Sequence, residues 1–66
     1  MPRYFFNVHF DEHVARDPVG VDLPDLDEAV NQAQKARAEI MYEDELDRLW
    51  LEIVDENGQV LASVGR

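Results

Sequence analysis

The opening stretch of the chain, residues 3–10, has the two-residue periodicity of a β-strand with one fully apolar face. Successive side chains of a strand point to opposite faces, so one face carries the four large apolar side chains Tyr4, Phe6, Val8 and Phe10. Phe5 lies on the other face. A second aromatic surface on so short a chain requires either solvent exposure or a partner.

The residues after this strand predict a hairpin. The chain can turn at residues 11–12, and residues 13–16 can then return beside the first strand. Residues 17–20, Asp-Pro-Val-Gly, have turn chemistry because proline fixes φ and glycine tolerates positive φ. A brief extended piece follows at residues 21–23.

The middle of the chain predicts one amphipathic helix. Asp25 can cap the first turn, with Glu28 three residues later, so the helix should begin at Asp25 or Leu26. If the helix continued, the acidic residues 43–45 would repel the negative end of its dipole, and further turns would place Asp44 and Asp47 on the buried side. The helix should therefore end near Tyr42. The apolar stripe consists of Leu26, Ala29, Val30, Ala33, Ala36, Ile40 and Met41.

A second hairpin is predicted in the last third of the chain. Residues 48–54 have the β-branched and aromatic content of a strand, Asn57-Gly58 is a strong turn signal, and residues 59–64 return as the last strand. We therefore expect a single α+β domain spanning residues 1–66, with a ββαββ antiparallel sheet in the order 2-1-3-4 and the helix across one face. The expected core joins Leu49, Leu51 and Ile53 to Tyr4, Phe6, Val8 and Phe10 under the helical stripe.

The sheet face away from the helix is the first candidate for function. Phe5, Trp50 and Val54 should share it, and contiguous exposed apolar surface on a small protein usually marks a binding site. We expect a homodimer interface there, with an aromatic cross-strand pair of purely structural value as the alternative. A 66-residue chain without cysteine also lacks disulfides as a means of stabilisation, which favours oligomerisation.

Charge narrows the classes of partner. The formal net charge is −9, from 15 acidic and 6 basic residues, so nucleic acids and anionic membrane surfaces should be repelled, whereas a basic protein can be attracted. The densest acidic cluster comprises Glu43, Asp44, Glu45 and Asp47. No apolar run approaches the ~20 residues needed to cross a bilayer, and no leader pattern is present, so the cytoplasm is the expected compartment.

Residue types suited to catalysis or metal binding are sparse. Cysteine and threonine are absent and Ser63 is the only serine, so we expect no enzyme and no cofactor. His9, Asp11 and His13 are weak candidate ligands for a divalent cation near the first turn, but their spacing matches no recognised metal motif. Two solvated imidazoles are the simpler interpretation.

The opening Met-Pro-Arg-Tyr-Phe-Phe, the Gly-Val-Asp-Leu-Pro-Asp segment at residues 20–25 and the alanine-rich helix after it resemble a family of short alphaproteobacterial proteins classed as a domain of unknown function. The resemblance spans nearly the whole chain, including the turn at residues 55–58. It implies a bacterial cytosolic protein and no activity. The chain departs from that family at Asn7, where the family has a histidine, and at residues 11–12, where it has a glycine-containing turn.

Two functions from different classes follow from these patterns. The leading hypothesis is a small non-enzymatic interaction protein that dimerises through the sheet face or through an exposed strand edge. The alternative is an antitoxin-like regulatory module whose acidic surface binds a basic protein. A metal-dependent hydrolase is a distant third.

Overall fold

The structure is a computed structural model that describes residues 1–44 and 48–66. Within those ranges it has a single antiparallel sheet and one helix, which confirms the predicted α+β class. The elements in chain order are β1 (Arg3–Phe10), β2 (His13–Ala15), β3 (Val21–Asp22), α1 (Leu26–Asp44), β4 (Leu49–Val54) and β5 (Val60–Val64).

The strand order is β2-β1-β4-β5, with β3 also paired to β1. It differs in detail from the prediction because the extended piece after the first hairpin is a fifth strand. β2 pairs residues 8–10 of β1 and β3 pairs residues 3–4, both antiparallel. The two short strands are therefore halves of one return strand along the same edge of β1, interrupted by residues 16–20.

The helix covers one half of the sheet more closely than the other. α1 packs over β4 and β5, with Ala29 and Ala33 fully buried against them, because small side chains allow the helix to approach the strands. Tyr4 and the inward side chains of β4 are buried as predicted. Phe6, Val8 and Phe10 pack against this core as predicted but are only partly buried, because α1 lies over β4 and β5 rather than over β1.

The helix boundaries test the capping argument. α1 begins at Leu26, and the Asp25 carboxylate accepts a hydrogen bond from the Glu28 N–H at 2.9 Å, as the sequence predicted. The helix continues to Asp44 rather than ending near Tyr42. At ~1.5 Å per residue its 19 residues are longer than the six-residue β4, and Tyr42 in the last turn is 87% exposed.

The second hairpin turns where its sequence indicated. The Gly58 N–H donates to the Asp55 carbonyl, and the Asp55 carboxylate accepts from the N–H groups of Asn57 and Gln59 at 2.9 Å each. Gly58 has a φ of 83°, a conformation that glycine adopts without strain. In the part of the chain that the structure describes, no helix combines the length and the apolar character needed to cross a bilayer.

Candidate functional site

The sheet face opposite α1, called here the open face, carries a mixed row of aromatic and polar side chains. The β1–β4 register places Phe5 opposite Val54, Asn7 opposite Glu52, and His9 opposite Trp50. The two predicted aromatic positions therefore stand at opposite ends of the face. A polar pair separates them, so the open face is not one continuous apolar surface.

Trp50 is held between two neighbours. The His9 ring stacks on it with a centroid separation of 3.8 Å and an interplanar angle of 8°, and the Arg66 guanidinium lies 4.8 Å from the centroid of the Trp50 ring system. A ring stacked at 3.8 Å leaves no room on its own side, so Arg66 covers the opposite side. A cavity of about 260 Å³ beside Trp50 is lined by His9, Phe10, Asp11, Arg48 and Trp50.

The centre of the open face is a short polar network. Asn7 is only 6% exposed, its amide nitrogen donates to Glu52 Oε1 at 3.5 Å, and its amide oxygen accepts from the Asp17 N–H at 3.1 Å. His9 Nε2 lies 3.6 Å from the same Glu52 oxygen. That nitrogen is buried and has no hydrogen-bond partner among the residues that the structure describes, so the carboxylate and the imidazole face each other without a formed hydrogen bond.

Asp17 organises the loop that crosses one edge of the sheet. Its Oδ2 accepts from the Phe6 N–H at 3.2 Å, and its Oδ1 accepts from the N–H groups of Val19 and Gly20 at 3.0 Å each. Burial of the carboxylate acts to raise its pKa, but the hydrogen bonds donated by Gly20, Val19 and Phe6 outweigh burial, so the pKa of Asp17 lies below its ordinary value. The carboxylate closes the gap between β2 and β3 on the edge of β1.

The loop at residues 17–20 also covers Phe5. A Cβ on Gly20 would lie 2.8 Å from the Phe5 ring, so the glycine backbone packs directly on that ring. Val54, its cross-strand neighbour, is 8% exposed. Of the three predicted interface residues, Phe5 and Val54 are thus largely covered by the chain itself. Trp50 remains half-buried beside its cavity.

Within the described residues, the outer edge of β5 is the strand edge with the fewest features that would prevent pairing with another strand. β5 is the last strand of the sheet on its side and has the sequence Val-Leu-Ala-Ser-Val, with neither charge nor proline. Val60 is 52% exposed and Leu61 is 37% exposed. A register irregularity at Ile53/Val54 is the one protective device on this side of the sheet within those residues.

An apolar groove on the other face follows from the displaced helix. Its volume is about 180 Å³, and it runs between α1 and β1, lined by Phe6, Val8, Gln32, Ala36, Ile40 and Leu51. The groove exposes part of the predicted core.

The structure separates the candidate metal ligands. His9 pairs with Val14 and His13 with Phe10, so the two histidines occupy adjacent positions along the hairpin that point to opposite faces. His13 packs near Phe10, with ring centroids 5.7 Å apart, whereas His9 lies on the open face near Asp11. In residues 1–44 and 48–66, no three metal-binding side chains cluster.

The predicted acidic cluster cannot be placed in the same way. The helical backbone includes Glu43 and Asp44, but their side chains, together with Glu45 and Asp47, lie outside what the structure describes. The prediction that these residues face a basic partner stays a prediction.

Sequence reasoning missed the residues that build the polar centre. Asn7, Glu52 and Asp17 are far apart in sequence and come together only through strand register. A usable signal was present, because Asn7 interrupts an otherwise aromatic and aliphatic strand, and a buried amide requires partners. Nothing in the sequence indicated, either, that the Arg66 guanidinium lies over the Trp50 ring.

Comparison with known proteins gives one result. The chain belongs to the family described as Domain of unknown function (DUF6894), whose model matches residues 3–65. No curated protein and no solved structure matches the chain significantly.

Proposed function

We propose that this DUF6894 member is a small non-enzymatic interaction protein that forms a homodimer by pairing the outer edges of β5 from two copies. The observation that carries the proposal is the uncharged β5 edge with Val60 and Leu61 exposed on it. The family resemblance seen in the sequence supports a bacterial cytosolic setting.

Edge pairing fits the backbone of β5. Alternate N–H and C=O groups of a terminal strand point away from the sheet, and a second strand satisfies them. Two copies of β5 related by a twofold axis run antiparallel, which joins the two sheets into one. Val60 and Leu61 would lose exposed apolar surface at the same time.

One twofold register of this strand pair would bring opposite charges together. If the axis passes through Ala62, Val60 of one copy lies opposite Val64 of the other. Arg66 then lies opposite Gly58, next to the acidic hairpin turn that contains Asp55 and Glu56. This complementarity offsets part of the repulsion between two chains that each carry a net charge of −9.

The affinity of the dimer should be moderate. A five-residue strand pair buries less than the ~1,200–2,000 Å² of a standard stable interface, so a dissociation constant in roughly the micromolar range is expected. Repulsion between the acidic copies is screened by salt, so added salt should strengthen the dimer.

The test is sedimentation equilibrium at about 100 μM, well above a micromolar dissociation constant. The wild type should be a dimer, and Val60→Lys should be a monomer, because it places a charge on the β5 edge. Val14→Lys is the matched control: Val14 is 44% exposed on β2, at the opposite edge of the sheet, and its replacement should leave the dimer intact.

Other outcomes count against the proposal. A monomeric wild type at that concentration would refute self-association. A dimer that survives Val60→Lys but is dissociated by Trp50→Glu would move the interface to the open face.

A further inference from the structure

The stacking of Arg66 on Trp50 shows what kind of group the open face can hold. A guanidinium over an indole is a favourable cation–π contact, and the tryptophan ring is the strongest partner for it among the natural side chains. This cation–π contact holds Arg66 over the ring, and the residue itself is exposed. An exposed contact of this kind is weak enough for an external group to displace it.

The receiving surface is preformed. His9 stacks on the other side of Trp50 and fixes the plane of the indole ring, so the side under Arg66 keeps its orientation when the arginine leaves.

The charge around the ring favours a cation. Asp11 lines the cavity beside Trp50, and Glu52 lies on the same face two residues along β4. The whole chain carries a net charge of −9. Arg48 lines the cavity as well and opposes a second cation, so it sets a limit on affinity. An anionic ligand would meet Arg48 favourably but would be repelled by both carboxylates and by the charge of the whole chain.

We infer that the side of Trp50 now covered by Arg66 is a recognition site for an arginine side chain of a basic partner protein, and that Arg66 is the intramolecular occupant of this site. The partner's guanidinium replaces that of Arg66 over the indole. The site shares Arg66 with the proposed β5 pairing, so a monomeric host is needed to test it.

The experiment titrates a capped Gly-Arg-Gly tripeptide into the protein and follows the fluorescence of Trp50, the sole tryptophan. The Val60→Lys variant is the host, so that failure of the proposed dimer cannot affect the result. The same titration with a citrulline tripeptide, which keeps the shape but removes the charge, separates cation recognition from simple stacking. Titration to about 20 mM covers the millimolar affinity expected for a single side chain.

The arginine peptide should give a saturable change and the citrulline peptide should give none. Arg66→Ala should bind the arginine peptide roughly 2- to 5-fold more tightly, because the competing contact is removed. Arg3→Ala is the matched control, since Arg3 is paired with Asp22 away from Trp50, and it should leave binding unchanged. Asp11→Asn should weaken binding and Arg48→Ala should strengthen it.

Three results would overturn the inference. They are the absence of a saturable change in Arg66→Ala, equal binding of the citrulline and arginine peptides, and equal affinity of Arg66→Ala and the host. The indole N–H signal of Trp50, followed by NMR, provides a second readout that does not depend on quenching.

Discussion

The two edges of the sheet are built in opposite ways. On one edge, the return strand is broken into β2 and β3, and the Asp17 carboxylate occupies the gap between them, where it accepts the Phe6 N–H. Arg3 and Asp22 form an ion pair beside it at 3.0 Å. On the other edge, β5 presents five residues without a charge.

The difference between the two edges favours the outer edge of β5 as the place for a partner strand. Natural sheets guard their edges with charges, short strands and bulges, because an unguarded edge pairs with other chains. The β2–β3 edge uses a charge, two short strands and a loop that covers Phe5. β5 relies on a register irregularity alone within the described residues. A chain that guards one edge so fully and leaves the other bare fits edge-to-edge pairing through β5.

The largest effect is expected from removing the carboxylate that guards the first edge. Asp17→Ala leaves the N–H groups of Phe6, Val19 and Gly20 without their acceptor, and should lower the free energy of unfolding by about 2 kcal/mol or more. Urea denaturation followed by circular dichroism measures the change. Asp22→Ala, which removes an exposed carboxylate on the same edge, is the control and should have a much smaller effect. Equal losses in both variants would contradict the role given to Asp17.

The loop over Phe5 provides the next test. Gly20→Ala adds a Cβ that would lie 2.8 Å from the Phe5 ring at a φ of 76°, so it should destabilise the fold by about 1–3 kcal/mol. Gly58→Ala is matched in φ, at 83°, but no atom lies within 4 Å of its new Cβ, so only backbone strain remains. Thermal unfolding of the two variants isolates the contact with Phe5. An equal loss in both would show that the loop does not pack on the ring.

The stability of the fold should depend on pH through the ionisation of the Asp17 carboxyl group. Its folded pKa lies below the ordinary value of 3.8, so the stabilisation is complete above that value and is lost as the pH falls through 3.8 and below. Asp17→Asn removes this titration. The difference in unfolding free energy between wild type and Asp17→Asn should therefore be constant from pH 7 to about 5 and should narrow below about pH 4. A difference that stays constant down to pH 3 would contradict the assignment.

The smallest expected effect is on stability at the two exposed edge valines. Val60→Lys and Val14→Lys both replace half-exposed side chains, so each should change the unfolding free energy of the monomer by no more than about 0.5 kcal/mol. Denaturation at about 5 μM, near or below the dissociation constant expected for the dimer, provides this comparison. A large loss in Val60→Lys alone would mean that any dissociation reflects unfolding rather than edge pairing.

The sequence predicted the elements that rest on local chemistry. The cap at Asp25, the turn at Asn57-Gly58 and the alternation of β1 each depend on neighbours within a few residues, and the structure has all three. The α+β class followed from these local patterns, whereas the strand order differs in detail because β3 is a fifth strand.

Features that depend on position in three dimensions were not predictable in the same way. The offset of α1 toward β4 and β5 is set by Ala29 and Ala33, whose small size does not reveal which strands they contact. The network of Asn7 and Glu52 needs strand register, and the packing of Gly20 on Phe5 needs the path of a loop. The prediction of an interface at Phe5, Trp50 and Val54 did not include the loop that covers Phe5.

The most direct test of the central comparison is hydrogen exchange of the edge amides at two protein concentrations. Amides of residues 60–64 should exchange more slowly at about 500 μM than at about 5 μM, because a larger share of the chains is dimeric at the higher concentration. Amides of residues 13–15 and 21–22, on the guarded edge, should exchange at the same rate at both concentrations. Exchange in β5 that does not change with concentration, or a slowing at the β2–β3 edge instead, would contradict the account.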